Sequence, residues 1–271
     1  MKKYQKTILY ILISIFSIIV FFPIIWAFSQ SLKNDVSFFE YPFKLIPEPV
    51  WFRNYIQGWS RGIGVWFKNS LIVTSISTII STFFATLTGY TFAKFKFRFK
   101  NIYFIFILTT MMVPWQVVVI PLYEMIVKVK LINTYTGLII PFILSAFGIF
   151  LMRQFITSIP DELIEAARSD GASEIRIFFQ IIIPLSKPAI ATHGIFIFMT
   201  IWDEFYWPLL AGSLNKIKVL PVGLAGFVTA TKISYNLQMA GAVISVIPIL
   251  IIFIFLQRFI VKGFLLTGIK G

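Results

Sequence analysis

Two apolar runs too long for the core of a soluble domain constrain this fold more than any motif. Ile8–Phe28 and Met239–Phe259 each exceed the roughly 18–20 apolar residues that carry a helix across a bilayer. The 271 residues are 58% hydrophobic and 13% charged, with a mean hydropathy of +0.87. A soluble domain carries about a quarter charged residues. The chain therefore reads as an all-α integral membrane protein with six transmembrane helices. The predicted spans are Ile8–Phe28, Ser70–Ala93, Asn101–Ile126, Leu138–Phe155, Ala189–Leu210 and Met239–Val261. Pro114 and Pro121 fall in the third. Each removes a helical hydrogen bond that a neighbour must replace, which predicts a bend that improves packing, lines a pathway, or both.

The formal charge of +13 does not point to nucleic acid, because a duplex binder gathers its basic residues on one soluble face. Here they sit in short connectors, the pattern of membrane topology and of contact with anionic headgroups in the lipid bilayer. The connector Lys94-Phe95-Lys96-Phe97-Arg98-Phe99-Lys100 is basic at every other position and belongs on the cytoplasmic side. On the span count Lys2, Lys3, Lys6, Arg168, Arg176, Lys187, Arg258, Lys262 and Lys270 share that side, so both termini are predicted to be cytoplasmic. The segment 29–69 mixes Lys33, Lys44, Arg53 and Arg61 with Asp35, Glu40 and Glu48 and is rich in Pro and Trp, which suits an ordered outer cap. The first apolar run is too long for a signal peptide and lacks a small-residue cleavage site after Phe28, so it reads as a retained span. With no repeat and no second soluble region, 1–271 is predicted to be a single transmembrane domain carrying a cytoplasmic loop, 157–188.

Several chemistries have no residues to support them. Cysteine is absent and the one histidine, His193, has no carboxylate at ligand spacing, which leaves no metal or thiol site and makes His193 a packed or interfacial side chain. No phosphate loop and no His-Glu-x-x-His run occurs, so the chain is read as a non-enzyme that binds no cofactor. A secondary transporter would place ionisable residues in mid-span and show inverted repeats; most spans here lack them. Glu124 stands four residues before Lys128, a helical pairing distance, and Met111 and Met112 read as packing.

The loop 157–188 is a water-compatible helix–Gly–helix. Ser158, Pro160 and Asp161 form a helix-start signal of the capping-box kind. Asp161, Glu162 and Glu165 then favour the positive end of the helix dipole, and Leu163, Ile164 and Ala167 make one apolar edge. Gly171 stands where a left-handed C-cap is needed. On the helix after it, Ile175, Phe178, Phe179 and Ile182 form a stripe that Pro184 and Pro188 are predicted to end. The Ala166–Ala167 corner is small enough for another protein to approach closely. As a connector alone, the segment is longer than it needs to be.

Glu165-Ala166-Ala167, three residues, Gly171, nine residues, then Ile181-Ile182-Ile183-Pro184 resembles the EAA signature of ABC-importer permeases, with Ile183 in place of the usual Leu. Thr88–Phe95, Met112–Gln116, Ile120–Tyr123, Leu131–Tyr135, Trp202–Leu209 and Gln257–Gly263 extend the resemblance in order along the chain to carbohydrate-uptake permeases of the MalG type. The resemblance implies a type I ABC-importer transmembrane domain. Glu165, Ala166, Ala167, Asp170, Gly171 and Pro184 would then form a coupling element docked on an ATPase, with two ATPase subunits holding ATP and Mg. It further implies a companion permease of the MalF type in a heterodimer, an extracellular solute-binding protein that delivers sugar, and a C-terminal tail, Lys262–Gly271, that reaches the ATPase interface. Glycerol-3-phosphate or another polyol phosphoester is the alternative cargo, with a secondary transporter further behind.

Residues of the substrate pathway are read near the third and fifth spans. Asp203 and Glu204 lie among Trp202, Tyr206 and Trp207; carboxylates bind sugar hydroxyls and aromatic faces stack on C–H faces. The same residues also suit the membrane–water boundary. Relatives usually carry Asn at 203. Pro114 and Gln116 stand where a gate would form, and the resemblance leaves open which of the two permeases holds the sugar.

Overall fold

A computed structural model describes residues 3–34, 37–42, 44–229 and 232–268; Lys2, Asp35, Lys270 and Gly271 of the sequence reading lie outside them. Three helices are long and apolar enough to cross a membrane: Tyr4–Ser31 within α1 (Lys3–Ser31), Arg53–Lys94, and Tyr235–Phe255 within α14 (Tyr235–Gly268). Arg53–Lys94 consists of α2 (Arg53–Gly58), a π-helical turn (Trp59–Ile63) and α3 (Gly64–Lys94). Three further spans are counted only if bent helix pairs each cross once, which brings the total to six. The described residues are helical or irregular apart from one antiparallel pair, β1 (Val228–Thr229) and β2 (Lys232–Ile233), in the register Val228↔Ile233. A ladder of two residues on each side leaves the all-α class as expected.

The predicted third span is two helices, α4 (Lys100–Thr109) and α5 (Trp115–Lys128), set at 100°. Pro114 forces the residue before it out of the helical region, and Val113 is extended at φ −82, ψ 118. The predicted fourth span breaks between α6 (Tyr135–Ile139) with its 3₁₀ extension Ile140–Phe142 and α7 (Ala146–Thr157), a 48° bend. Thr134 and Ser145 cap these helices, accepting hydrogen bonds from the amides of Gly137 and Gly148 at 3.0 Å each. The predicted fifth span is not one helix either: α11 (Lys187–Trp202) ends at Asp203, and α12 (Tyr206–Ala211) follows. Lys262–Gly268 of the C-terminal tail continue α14.

The chain divides into two compact units, Met1–Phe67 with Leu220–Pro248, and Lys68–Val219 with Ile249–Gly271. In the first, Asn54 is fully buried. Its amide donates to the carbonyls of Ser31 at 2.8 Å and Lys33 at 2.7 Å, and its oxygen accepts from Asn236 at 3.1 Å. One side chain thus ties the end of α1 to the start of α14. By contrast, the apolar window of α1 has no residue buried within the chain; an all-round apolar helix of this kind needs lipid or another chain around it.

In the second unit α3 and α7 cross at Gly89, where an added Cβ would lie 2.6 Å from Met152 Cβ and 2.9 Å from the Arg153 amide. Below the crossing lies a core of Tyr90, Phe92, Phe104, Met152, Ile156 and Ile177 among others. His193 is fully buried with Nδ1 3.1 Å from Thr82 Oγ1, a packed side chain as predicted. The start of α3 is held separately. There Asn69 donates to the carbonyls of Lys216 at 3.1 Å and Lys218 at 2.9 Å and accepts from the Tyr135 hydroxyl at 2.6 Å.

Asn54→Ala leaves these buried carbonyls and the Asn236 amide without their partner. A loss of about 1–3 kcal/mol is expected, seen as a lower unfolding temperature in detergent.

Candidate functional site

The segment after α7 folds as α8 (Asp161–Ser169), a reversal at Gly171, and α9 (Glu174–Ile177). The start of α8 differs from the sequence reading. Ser158 does not cap it; its hydroxyl donates to the Phe155 carbonyl at 2.7 Å, closing α7, and Pro160 takes the N-cap position with no side-chain cap. Asp161 and Glu162 in the first turn and Arg168 in the last still complement the helix dipole.

The end of α8 follows the prediction. Gly171 is left-handed at φ +81. The Ala172 amide donates to the Ala167 carbonyl at 2.9 Å and the Gly171 amide to that of Arg168 at 3.0 Å, the paired bonds of a Schellman cap. Nothing lies within 4 Å of a Cβ added at Gly171, so the glycine is required by conformation rather than by crowding. Ser173 then caps α9, accepting from the Arg176 amide at 3.3 Å.

Burial sorts the faces differently from the sequence pattern. On α8 Ile164 is buried and Ala167 half-buried, whereas Leu163 points outward with Glu162, Glu165, Ala166 and Asp170. After Gly171 the buried residues are Ile177, Phe178 and Ile182, while Ile175 is 72% and Phe179 53% exposed. The two short helices share so small a footprint on the core that periodicity alone does not choose which apolar residues face it. Pro184 does not end its helix. The chain passes through a π-turn at Phe178–Ile182, where the Ile183 amide reaches the Phe178 carbonyl, and stays helical through α10 (Ile183–Leu185). The break comes at Ser186, before α11, with a 78° bend.

Residues the sequence reading left without a role hold α8 in place. Lys94, the last residue of α3, bonds Asp161 Oδ1 at 2.6 Å and also donates to the Ile159 carbonyl. Tyr90, one turn earlier, donates its hydroxyl to Glu174 Oε2 at 2.7 Å, and Arg168 Nε donates to Oε1 of the same carboxylate at 2.7 Å. Phe95 packs edge-on to Tyr90 at 5.3 Å and lies 5.8 Å beneath the Arg168 guanidinium. The hydrogen bond and charge of Lys94 hold the Asp161 carboxyl below its usual range. A cleft of about 320 Å³ opens here, lined by Lys94, Lys96, Asp161, Ile164, Glu165 and Arg168, with Phe95. The only available sequence signal was the position of Tyr90 and Lys94, four apart at a span exit. Their partners lie too far along the chain for any pattern to name.

The predicted substrate residues fall near the opposite end of α3. Trp202 and Trp207 are buried; Trp202 stacks on Phe198 at 5.7 Å and Trp207 Nε1 donates to the Gly137 carbonyl at 3.1 Å. Glu204 is half-buried and accepts from the Trp207 amide at 3.1 Å, capping α12. Asp203 and Tyr206 are exposed, as are Pro114 and Gln116 at the α4–α5 break.

Residues 81–265 match the family described as binding-protein-dependent transport system inner membrane component. The chain belongs to that family. It is 33% identical over 279 residues to the arabinooligosaccharides transport system permease protein AraQ of Halalkalibacterium halodurans, with 100% of each chain covered. It is 31% identical to the sn-glycerol-3-phosphate transport system permease protein UgpE of Yersinia pestis, covering 94% of both. A crystal structure of a bacterial ABC transporter involved in the import of the acidic polysaccharide alginate has a chain of the same fold. The TM-score is 0.84 at 24% identity, covering 95% of this chain and 97% of that one. The protein is thus a multi-pass membrane component of a transport system, a transport subunit.

Gly171→Ala is expected to cost about 1–2 kcal/mol from the left-handed backbone alone, and Ile164→Ala about 2–5 kcal/mol as a core truncation; thermal unfolding in detergent checks both. The Asp161 carboxyl, depressed when folded, stabilises the Lys94 link at neutral pH. That contribution is lost only as pH falls through the lowered folded value. An acid titration of the Asp161 carboxyl by NMR should place its midpoint below that of an unpaired aspartate.

Proposed function

We propose that this chain is the translocating subunit of an ATP-driven importer of carbohydrates. In this reading residues 1–271 are one type I transmembrane domain of six spans with both termini cytoplasmic. α8 docks on an ATPase, with Glu165, Ala166, Ala167, Asp170 and Gly171 forming the corner and Pro184 the return to the membrane. ATP and Mg are held by two ATPase subunits and none by this chain. A companion permease completes the pathway, and an extracellular binding protein delivers the cargo. The observation that carries the reading is the exposed face of α8, with Glu165 and Ala166 turned outward on a helix fixed from behind by Ile164, in a chain of a binding-protein-dependent transport family.

The relative named for arabinooligosaccharides supports a carbohydrate cargo. Asp203 does too: an exposed carboxylate accepts sugar hydroxyls and repels phosphate. The relative named for glycerol-3-phosphate favours a second reading, a polyol phosphoester. Asp203, Tyr206, Pro114 and Gln116 are the exposed members of the sequence-predicted pathway.

The test is uptake into vesicles holding the chain with its cognate permease, ATPase and binding protein. Glu165→Lys combined with Ala166→Glu is expected to lower ATP-dependent uptake by about tenfold or more while membrane insertion persists. Normal uptake would reject the docking role of α8, and uptake by the chain alone would reject the ATP-driven reading. Competition by arabino-oligosaccharide rather than glycerol-3-phosphate is expected, and Asp203→Asn should weaken it.

A further inference from the structure

We infer that Tyr90 and Lys94 are positioning residues that fasten α3 to both ends of α8, so that the second span travels with the docking helix as one body. The inference rests on the reading of α8 as the ATPase contact and adds where the motion goes. Along the chain α8 connects only to α7 on one side and to α9 and α11 on the other. It reaches α3 through side chains alone.

The two attachments sit at opposite ends of α8, a helix of 9 residues and so about 13 Å long. Lys94 holds the first turn through Asp161 at 2.6 Å and the Ile159 carbonyl just before it. Tyr90 holds the far end through Glu174, whose second oxygen takes Arg168 of the last turn at 2.7 Å. Tyr90 and Lys94 are four residues apart, hence on one face of α3. A single link would let α8 pivot about it; two links at its ends pass on rotation as well as translation.

Both α3 side chains are withdrawn from water. Tyr90 is 2% exposed and the Lys94 side chain 6%, and Phe178 lies 6.0 Å from the Tyr90 ring. Bonds to ionised groups are the strong ones; here the α3 donors are shielded while the Asp161 and Glu174 side chains stay 71% and 43% exposed. The carboxylate of Glu174 is the shared point: it is half-buried and takes a donor on each oxygen. Its loss would release Tyr90 and Arg168 together.

The sequence contains no cysteine, so paired labels can be placed in this chain without background from it, in an assembly whose other subunits are made cysteine-free. Spin labels at Glu162→Cys on α8 and Leu87→Cys on α3 report the separation of the two helices in the assembled transporter in nanodiscs. The clamp requires one narrow distance that is the same with and without ATP. It also requires that Tyr90→Phe combined with Lys94→Gln broadens that distance. Transport per ATP hydrolysed should then fall about tenfold while ATP hydrolysis continues. A wild-type distance that changes with ATP overturns the inference, as does a double variant that keeps both the narrow distance and the wild-type coupling. Transport and hydrolysis falling in proportion would show a merely structural role and overturn it as well. The label distance does not depend on docking, whereas the Glu165→Lys, Ala166→Glu variant tests docking and leaves the clamp in place, so the two readings fail separately.

Discussion

A backbone amide or carbonyl left unpaired in hydrocarbon costs several kcal/mol, and the broken spans of this chain are arranged around that requirement. Pro114 sets α4 and α5 at 100°, and the Thr109 and Thr110 hydroxyls return hydrogen bonds to the carbonyls of Phe106 and Ile107. Ser145 and Glu204 restart α7 and α12 by accepting from amides three residues on. Ahead of Pro184 the helix widens to a π-turn, which keeps it continuous past a residue with no N–H. Each break is thus supplied with a partner from nearby sequence.

The same logic decides where α8 sits. A short amphipathic helix outside the apolar spans has little burial of its own, chiefly Ile164, and would be mobile on that contact alone. The cap at Gly171, the Lys94–Asp161 bridge and the shared Glu174 carboxylate give it fixed ends. Its charged face is thereby held at a set orientation, as a docking surface requires. Trp202 and Trp207 are spent on packing, which leaves Asp203 and Tyr206 as the exposed residues of that stretch.

Much of this was legible in the residues. Three of the six spans read from the apolar runs are continuous helices, and the spacing from Glu165 to Pro184 located the helix–Gly–helix and its left-handed glycine. Other details were misread for identifiable reasons. Ser158 fits a helix start by local pattern, yet its hydroxyl is taken by the helix before it. Ile175 and Phe179 fit a buried stripe, yet a helix this short buries only the side that carries Ile177 and Phe178. Pro184 was read as a stop, and the π-turn lets the chain pass it.

The sequence by itself determined that the chain lives in a membrane, that Gly171 must be left-handed and that the loop around it faces water. Those are consequences of apolar length, backbone conformation and charge, which act over a few residues at a time. Only the tertiary structure decided that Lys94 grips Asp161 of α8 across 67 residues and Tyr90 grips Glu174 of α9, the partner of Arg168, across 84, and that two of the aromatic candidates are core. A hydrogen bond is formed wherever folding brings donor and acceptor together, and no local pattern carries that distance.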